Sequence, residues 1–227
     1  MTPMKKIVTL PFLFIWMTAN EAPLPPSLPH EQKISIPIQK VSIPIIPKAS
    51  FAIAYQITAS YEGGYANVAN DLGEETYRGI SRKFCKDWHG WSHIDEYKLE
   101  CGPPEQNYYF NDLTDWHVTE FYLDIWIKEG FFDLENQAIA NYLFDFRVHS
   151  PIGVKIIQRL LNNCGCQFNL DNQMNHEMIV ALNKIDAADF LMSIKKERID
   201  LYTHFADHNP SQQKFLCHWL KRANASG

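Results

Sequence analysis

Apolar residues recur at intervals of three and four from Ser50 towards the end of the chain, and this spacing is the strongest constraint on the fold. One such stripe runs along residues 118–126, as Val118, Phe121, Tyr122, Ile125 and Trp126. Others comprise Ile139, Leu143 and Phe146; Val154, Ile157, Leu160 and Leu161; and Leu191, Ile194, Leu201 and Phe205. This spacing places apolar side chains on one face of an α-helix, and the alternation typical of strands is scarce. The sequence therefore predicts an all-α fold.

The first 50 residues have a different character. Lys5 and Lys6 precede an apolar run from Ile7 to Ala19, which is the arrangement of an export signal and is short for a membrane span. We expect a signal peptide at residues 1–22, transient contact with the membrane, and localisation in the periplasm or outside the cell. A retained N-terminal anchor is the alternative. Residues 23–50 hold seven of the 13 prolines, which predicts an extended linker.

Charge and cysteine content exclude several classes of protein. The net charge is −5, so no excess of lysine and arginine is available to follow nucleic-acid phosphates. The five cysteines are an odd number, so at least one thiol is free or pairs between chains, and a disulfide between Cys85 and Cys101 is conceivable in an oxidising compartment. The pair Cys164 and Cys166 is too closely spaced for a zinc knuckle. No metal or organic cofactor is expected.

Glu62 is the first candidate for catalysis. It follows a helical stretch and precedes Gly63 and Gly64, which places its carboxyl at a helix end beside a loop that permits close approach of a ligand. If neighbouring tyrosines bury it, desolvation raises its pKa, as a general acid at neutral pH requires. On residue type alone, a solvated surface carboxylate is the commoner role.

Asp71 and Thr76 are the candidates that would assist. Asp71 lies in a polar turn, so we expect it to be solvated and ionised. One neutral and one charged carboxyl are what glycosidic bond cleavage requires, because the first protonates the leaving oxygen and the second steers water or stabilises positive charge on the sugar. Thr76 can hydrogen-bond that water.

Aromatic residues near these carboxyls are candidates for sugar binding, because the flat CH faces of sugars stack on rings. Aromatic residues make up 13% of the chain. Tyr65, next to Glu62, is the first candidate, followed by Trp88, Trp91 and Tyr108. For Trp88 and Trp91, packing as hydrophobic side chains under a loop is the alternative.

The string Glu62-Gly63-Gly64-Tyr65, with Asp71, Gly73, Thr76 and Gly79-Ile80-Ser81 after it, resembles the catalytic motif of glycoside hydrolase family 108. Tyr122-Leu-Asp-Ile-Trp126 is similar to a later motif of that family. The family comprises phage-type and exported N-acetylmuramidases, so the resemblance implies a lysozyme-like helical catalytic region with Glu62 as general acid. The spacing of Glu62, Asp71 and Thr76 also resembles the catalytic triad of T4-type phage lysozymes, where the last gap is one residue longer.

Motifs after residue 139 resemble the companion peptidoglycan-binding domain of the same family. They are Leu143-Phe-Asp145, Val148-His149-Ser150, Ile157-Gln158-Arg159-Leu160-Leu161, Leu170-Asp171-Asn172 and Phe215-Leu-Cys-His-Trp219-Leu-Lys-Arg222. The resemblance implies a catalytic domain at 51–138 packed against a peptidoglycan-binding-like helical domain at 139–223. These helices could instead simply complete the core. The chain departs from the family pattern at Val68, Glu74, His149 and Pro151.

The resemblance implies a muramidase that acts on peptidoglycan glycan strands and cleaves the β-1,4 bond between N-acetylmuramic acid and N-acetylglucosamine. A lytic transglycosylase, in which one glutamate suffices, is a close alternative. A non-catalytic wall-binding or secretion-accessory protein is another. An enzyme released against rival cells would imply an immunity partner.

Overall fold

A computed structural model describes residues 47–67 and 74–225. The expected signal peptide at 1–22, most of the expected linker and Asp71 lie outside these residues. The described part is mainly helical, which confirms the helical prediction. Its eight α-helices are α1 (Phe51–Ala59), α2 (Gly90–Cys101), α3 (Asp112–Lys128), α4 (Gln137–His149), α5 (Gly153–Asn163), α6 (His176–Leu182), α7 (Ala187–His208) and α8 (Gln213–Ala225). Short 3-10 turns occur at Phe131–Asp133 and Pro210–Gln212.

The all-α prediction is wrong in one respect, because a small antiparallel sheet follows α1. Its strands are β1 (Tyr65–Asn67), β2 (Glu75–Tyr77) and β3 (Ile80–Ser81), in the order β1-β2-β3. Arg78 and Gly79 connect β2 to β3 with φ angles of 48° and 80°. Positive φ at both turn positions matches the right-handed twist of a tight hairpin. Strands of two or three residues are too short to show alternation in the sequence.

Side-chain caps define where four of the helices begin. In each case an Asn or Asp oxygen accepts a hydrogen bond from the backbone N–H three residues later, a contact that typically contributes about 1 kcal/mol. These caps are Asn111 for α3, Asn136 for α4, Asn175 for α6 and Asp186 for α7. The residues before α1 are fixed differently: the Ala49 N–H donates to the Leu134 carbonyl (2.7 Å) and the Ser50 N–H to Gln137 Oε1 (2.6 Å). These bonds hold the start of α1 against α4.

One main hydrophobic core extends from Ala54 in α1 to Ile194 in α7. An aromatic group lies at its centre, where Phe144 of α4 contacts Phe51, Trp126 and Phe131 edge to face. The core therefore continues across residue 138, and the two regions expected from the sequence share it. No helix in the described ranges is long and apolar enough to cross a membrane.

A second, smaller apolar cluster holds α8 against the end of α7. Its buried members are Tyr202, Ala206, Trp219 and Ala223. All five cysteines are free thiols, so the structure contains no disulfide between Cys85 and Cys101. The fold therefore depends on apolar burial and hydrogen bonds.

Candidate active site

Glu62 lies just after α1, where its backbone N–H still donates to the Ala59 carbonyl (3.2 Å). Its side chain is only 4% exposed, so the predicted burial is confirmed. Its Oε1 accepts a hydrogen bond from Arg222 Nη2 at 2.9 Å. Arg222 of α8 thus contacts a carboxyl that lies just after α1.

The β2–β3 hairpin closes the other side of the carboxyl. A Cβ built on Gly79 would lie 2.5 Å from Glu62 Oε2 and 2.8 Å from the Tyr122 hydroxyl oxygen. The Tyr122 hydroxyl donates to the Arg78 carbonyl at 2.7 Å. Gly79 is therefore required for two reasons: its φ of 80° favours glycine, and a side chain would occupy the space of the carboxyl and the phenol.

Arg222 is held between two carboxylates. Its Nε and Nη2 donate to Asp145 Oδ1 of α4 at 3.0 and 2.8 Å, and the same Nη2 donates to Glu62. The Arg222 side chain is 6% exposed and that of Asp145 is 0% exposed. A guanidinium bound in this way has a fixed plane, because two of its N–H groups share one carboxylate partner. Asp145 therefore orients the group that contacts Glu62.

A further set of buried polar contacts supports Asp145 from the α7 side. Arg198 Nη2 donates to Asp145 Oδ2 at 2.7 Å, and Arg198 Nε donates to the Tyr202 hydroxyl at 2.7 Å. His149 Nδ1 lies 2.5 Å from that same hydroxyl. In the sequence, Asp145, His149 and Arg222 are identified only as parts of motifs, and Arg198 and Tyr202 are not identified at all. The available signal was a spacing of four, because Ile194, Arg198 and Tyr202 continue one buried face of α7.

Burial and charge move the two carboxyls of this network in opposite directions. Burial raises the pKa of Glu62, and the nearby Asp145 charge adds to the rise, while Arg222 opposes it. Burial also raises the pKa of Asp145, but Arg222 and Arg198 outweigh it and hold that pKa well below its usual range. The surroundings of Glu62 thus favour its protonated form, whereas those of Asp145 favour its ionised form. Because Asp145 is fully buried, it cannot act as the second carboxylate at a sugar.

One comparison with known proteins matches part of the chain to a family model. Residues 55–150 match the family model described as Glycosyl hydrolase 108. The chain contains a glycosyl hydrolase 108 domain. It is therefore a glycoside hydrolase, as expected from the sequence. The match continues past residue 138 to the end of α4, and it includes Glu62, Gly79, Tyr122 and Asp145, whereas Arg198 and Arg222 lie beyond it.

A search of solved structures adds a structural likeness. No curated protein matches the chain. Among solved structures, the chain is similar to one titled "Structure of Brucella abortus SagA", with 20% sequence identity and a TM-score of 0.49, over 78% of this chain and 94% of that chain. The family match does not reach α5–α8, so a separate peptidoglycan-binding domain at 139–223 stays a prediction.

Of the two residues expected to assist Glu62, Thr76 is among the described residues and Asp71 is not. Thr76 is buried in β2, where it pairs with Ala66 and Ser81. Asp71 lies outside the described residues, so its relation to Thr76 stays a prediction. Among residues 47–67 and 74–225, no group of three or more histidines, cysteines and acids is arranged to hold a metal ion.

Two of the four aromatic candidates are core residues. Tyr65 and Trp91 are each 3% exposed. The Tyr65 backbone N–H donates to the Tyr108 carbonyl (2.8 Å), and the Trp91 indole donates to the Cys85 carbonyl (2.7 Å). Both rings are therefore part of the hydrophobic core.

The other two candidates are half-buried. Trp88 donates its indole N–H to the His117 carbonyl (3.1 Å) and lines a cavity of about 890 Å³ beside α3. Tyr108 contacts the rings of Tyr97 and Phe110. Trp88 lines this cavity, so contact between its ring and a sugar stays a prediction.

Proposed function

We propose that this chain is a peptidoglycan hydrolase, an N-acetylmuramidase that cleaves the β-1,4 bond between N-acetylmuramic acid and N-acetylglucosamine. The observation that supports it is the Glu62 carboxyl, which is 4% exposed in a glycosyl hydrolase 108 domain and whose pKa is raised by burial. A carboxyl that keeps its proton near neutral pH is suited to general acid catalysis.

In this mechanism Glu62 donates its proton to the glycosidic oxygen while the bond to the anomeric carbon breaks. Positive charge then develops on the sugar ring, and a water molecule attacks the anomeric carbon while its surplus proton passes to the Asp71 carboxylate or to solvent. Asp71 steers that water or stabilises the charge, and Thr76 hydrogen-bonds the water. Arg222 remains paired with Asp145 when Glu62 is neutral, and it stabilises the Glu62 carboxylate that forms once the proton has left.

The first experiment is Glu62→Gln, which keeps the shape of the side chain and removes the acid. We expect the rate of peptidoglycan solubilisation by the folded protein to fall about 10²- to 10⁴-fold. Glu96→Gln is the matched control, because the Glu96 side chain is 72% exposed on α2 and we expect no change. Unchanged lysis by Glu62→Gln would contradict the proposal. Absence of lysis by the wild-type protein would also contradict it.

Mass spectrometry of the released fragments identifies the bond and the reaction. Reducing N-acetylmuramic acid ends are expected from a muramidase. Reducing N-acetylglucosamine ends would indicate the other glycosidic bond. 1,6-Anhydro ends would indicate a lytic transglycosylase.

We also propose that the protein is exported by its N-terminal segment and acts in the periplasm or outside the cell, where peptidoglycan lies. Support comes from Lys5, Lys6 and the apolar run that follows them. Mass determination of the protein recovered from the exported fraction tests this, because cleavage of residues 1–22 or a nearby position would remove the run. An intact N-terminus there would indicate a retained anchor.

A further inference from the structure

The contacts around Glu62 connect the first and last helices of the described fold through a single guanidinium. Arg222 Nη2 donates to Glu62 Oε1 and to Asp145 Oδ1, at 2.9 and 2.8 Å. Arg198 holds the other oxygen of Asp145. All four side chains are at most 6% exposed. Their charges cancel when Glu62 is ionised and leave one positive charge when it is protonated.

We propose that Arg222 is a positioning residue that fixes the Glu62 carboxyl for proton donation, and that Asp145 is the counter-charge that lets Glu62 stay protonated beside an arginine. This inference rests on the proposed role of Glu62 as general acid. It gives α7 and α8, which lie beyond the matched residues 55–150, a role within the catalytic site.

The positioning role follows from where each oxygen of Glu62 points. Arg222 binds Oε1, while Oε2 faces Gly79, where a Cβ would lie only 2.5 Å from it. Because Asp145 binds Arg222 through two nitrogens, the guanidinium cannot rotate without breaking two buried, charge-assisted bonds. The rotamer of Glu62 is thus set by a side chain that is itself fixed, as a general acid requires.

The counter-charge role follows from the sign of each charge near Glu62. A lone arginine at hydrogen-bond distance lowers the pKa of a carboxyl by 1–3 pH units in typical proteins, which would deprive the enzyme of its acid near neutral pH. Asp145 contacts the same guanidinium nitrogen and opposes that effect. Arg198 in turn compensates Asp145, so the net influence depends on all three residues.

The other groups that face this network are uncharged near neutral pH. Burial lowers the pKa of His149 well below its usual value, so the imidazole is neutral. Burial raises the pKa of each phenol that faces the network, from α1, the segment after it, α3, α4 and α7: Tyr55, Tyr61, Tyr122, Tyr142 and Tyr202. The balance at Glu62 is therefore set by Asp145, Arg198 and Arg222.

The experiment measures the pH dependence of kcat on purified sacculi for Arg222→Gln, Arg222→Lys and Asp145→Asn. The alkaline limb reports loss of the proton from Glu62. Arg222→Gln removes the charge that favours ionisation, so its alkaline limb should move to higher pH by about 1 unit. Asp145→Asn removes the opposing charge, so its limb should move to lower pH by a similar amount. Arg222→Lys keeps the charge but loses the two-nitrogen contact with Asp145. We therefore expect kcat to fall while the alkaline limb moves little.

Opposite shifts distinguish this role from a purely structural one, which would lower activity without moving the limb. Alkaline limbs that stay at the wild-type pH in both charge-removing variants would overturn the inference. If Asp145→Asn does not fold, the contrast between Arg222→Gln and Arg222→Lys decides alone. Direct titration of the Glu62 carboxyl by ¹³C NMR, in wild type and Arg222→Gln, tests the same balance even if Glu62→Gln proves active and the proposed function fails.

Discussion

The two apolar clusters in the described part of the chain differ in size and in what they hold together. The main core contains residues from α1 to α7 and has an aromatic centre around Phe144. The cluster between α7 and α8 has four buried members and a rim of half-buried side chains. The first cluster holds most of the fold, whereas the second holds a single helix. Yet that helix carries Arg222, which contacts Glu62.

This difference indicates that stability and activity depend on different parts of the molecule. The fully buried core should unfold as one cooperative unit, while α8 is fixed by a small apolar cluster and a buried ionic network. Removing one partner of a buried ion pair leaves an uncompensated charge, which costs several kcal/mol. The attachment of α8 is therefore specific, but it is weaker in apolar burial than the attachment of α4.

Truncating one aromatic side chain in each cluster gives the largest expected effects. Phe144→Ala should lower the free energy of unfolding by about 3–5 kcal/mol, because it opens a cavity in the centre of the core. Trp219→Ala should cost about 3 kcal/mol and should act on α8 first. Denaturant unfolding combined with hydrogen exchange measures both. We expect faster exchange throughout for Phe144→Ala, and faster exchange confined to α8 for Trp219→Ala.

Activity at a temperature where both variants are folded sharpens the contrast. Trp219→Ala should lose most of its activity because Arg222 is no longer held, whereas Phe144→Ala should lose less per folded molecule. Phe132→Ala and His218→Ala are the matched controls, since both side chains are exposed. Uniformly faster exchange in Trp219→Ala would contradict the view that α8 is a separately attached element.

Gly79→Ala tests the site with a smaller effect on stability. The added Cβ would lie 2.5 Å from Glu62 Oε2 and 2.8 Å from the Tyr122 hydroxyl oxygen, at a backbone φ of 80°. Strain of this kind costs about 1–3 kcal/mol, and we expect kcat to fall at least tenfold because Glu62 must shift.

The matched control for this substitution is Gly165→Ala. Gly165 has a φ of 96°, and a Cβ there would meet no atom within 4 Å. It reproduces the backbone strain without the contact to Glu62. Equal loss of kcat in both variants would mean that strain alone, and not displacement of the carboxyl, explains the effect.

Local patterns predicted α1, α3, α4, α5 and α7 and the burial of Glu62, but not α2, which was expected to be a loop, nor the contacts that surround Glu62. The apolar stripes repeat over many residues, so they identified α3, α4, α5 and α7. The hairpin at Arg78 and Gly79 was missed because its strands span two or three residues each. Arg222 lies 160 residues from Glu62 and 77 from Asp145, and no spacing rule reaches that far. A charged residue such as Arg198 within an apolar stripe signals a buried partner without identifying it.

The smallest predicted effect concerns His149, which joins α4 to α7 through the Tyr202 hydroxyl. Because burial and the two arginines lower its pKa well below 6.5, the folded state excludes a proton that the unfolded state takes up below about pH 6.5. His149 therefore reduces stability as the pH falls through about 6.5, by at most about 1.4 kcal/mol per pH unit.

His149→Asn keeps a polar atom near the Nδ1 position and cannot titrate. The difference in free energy of unfolding between wild type and this variant should change with pH between about 7 and 5, in the direction that weakens wild type in acid. A difference that stays constant over this range would mean that His149 can be protonated within the folded network, and that α4 and α7 are less tightly joined than their contacts indicate.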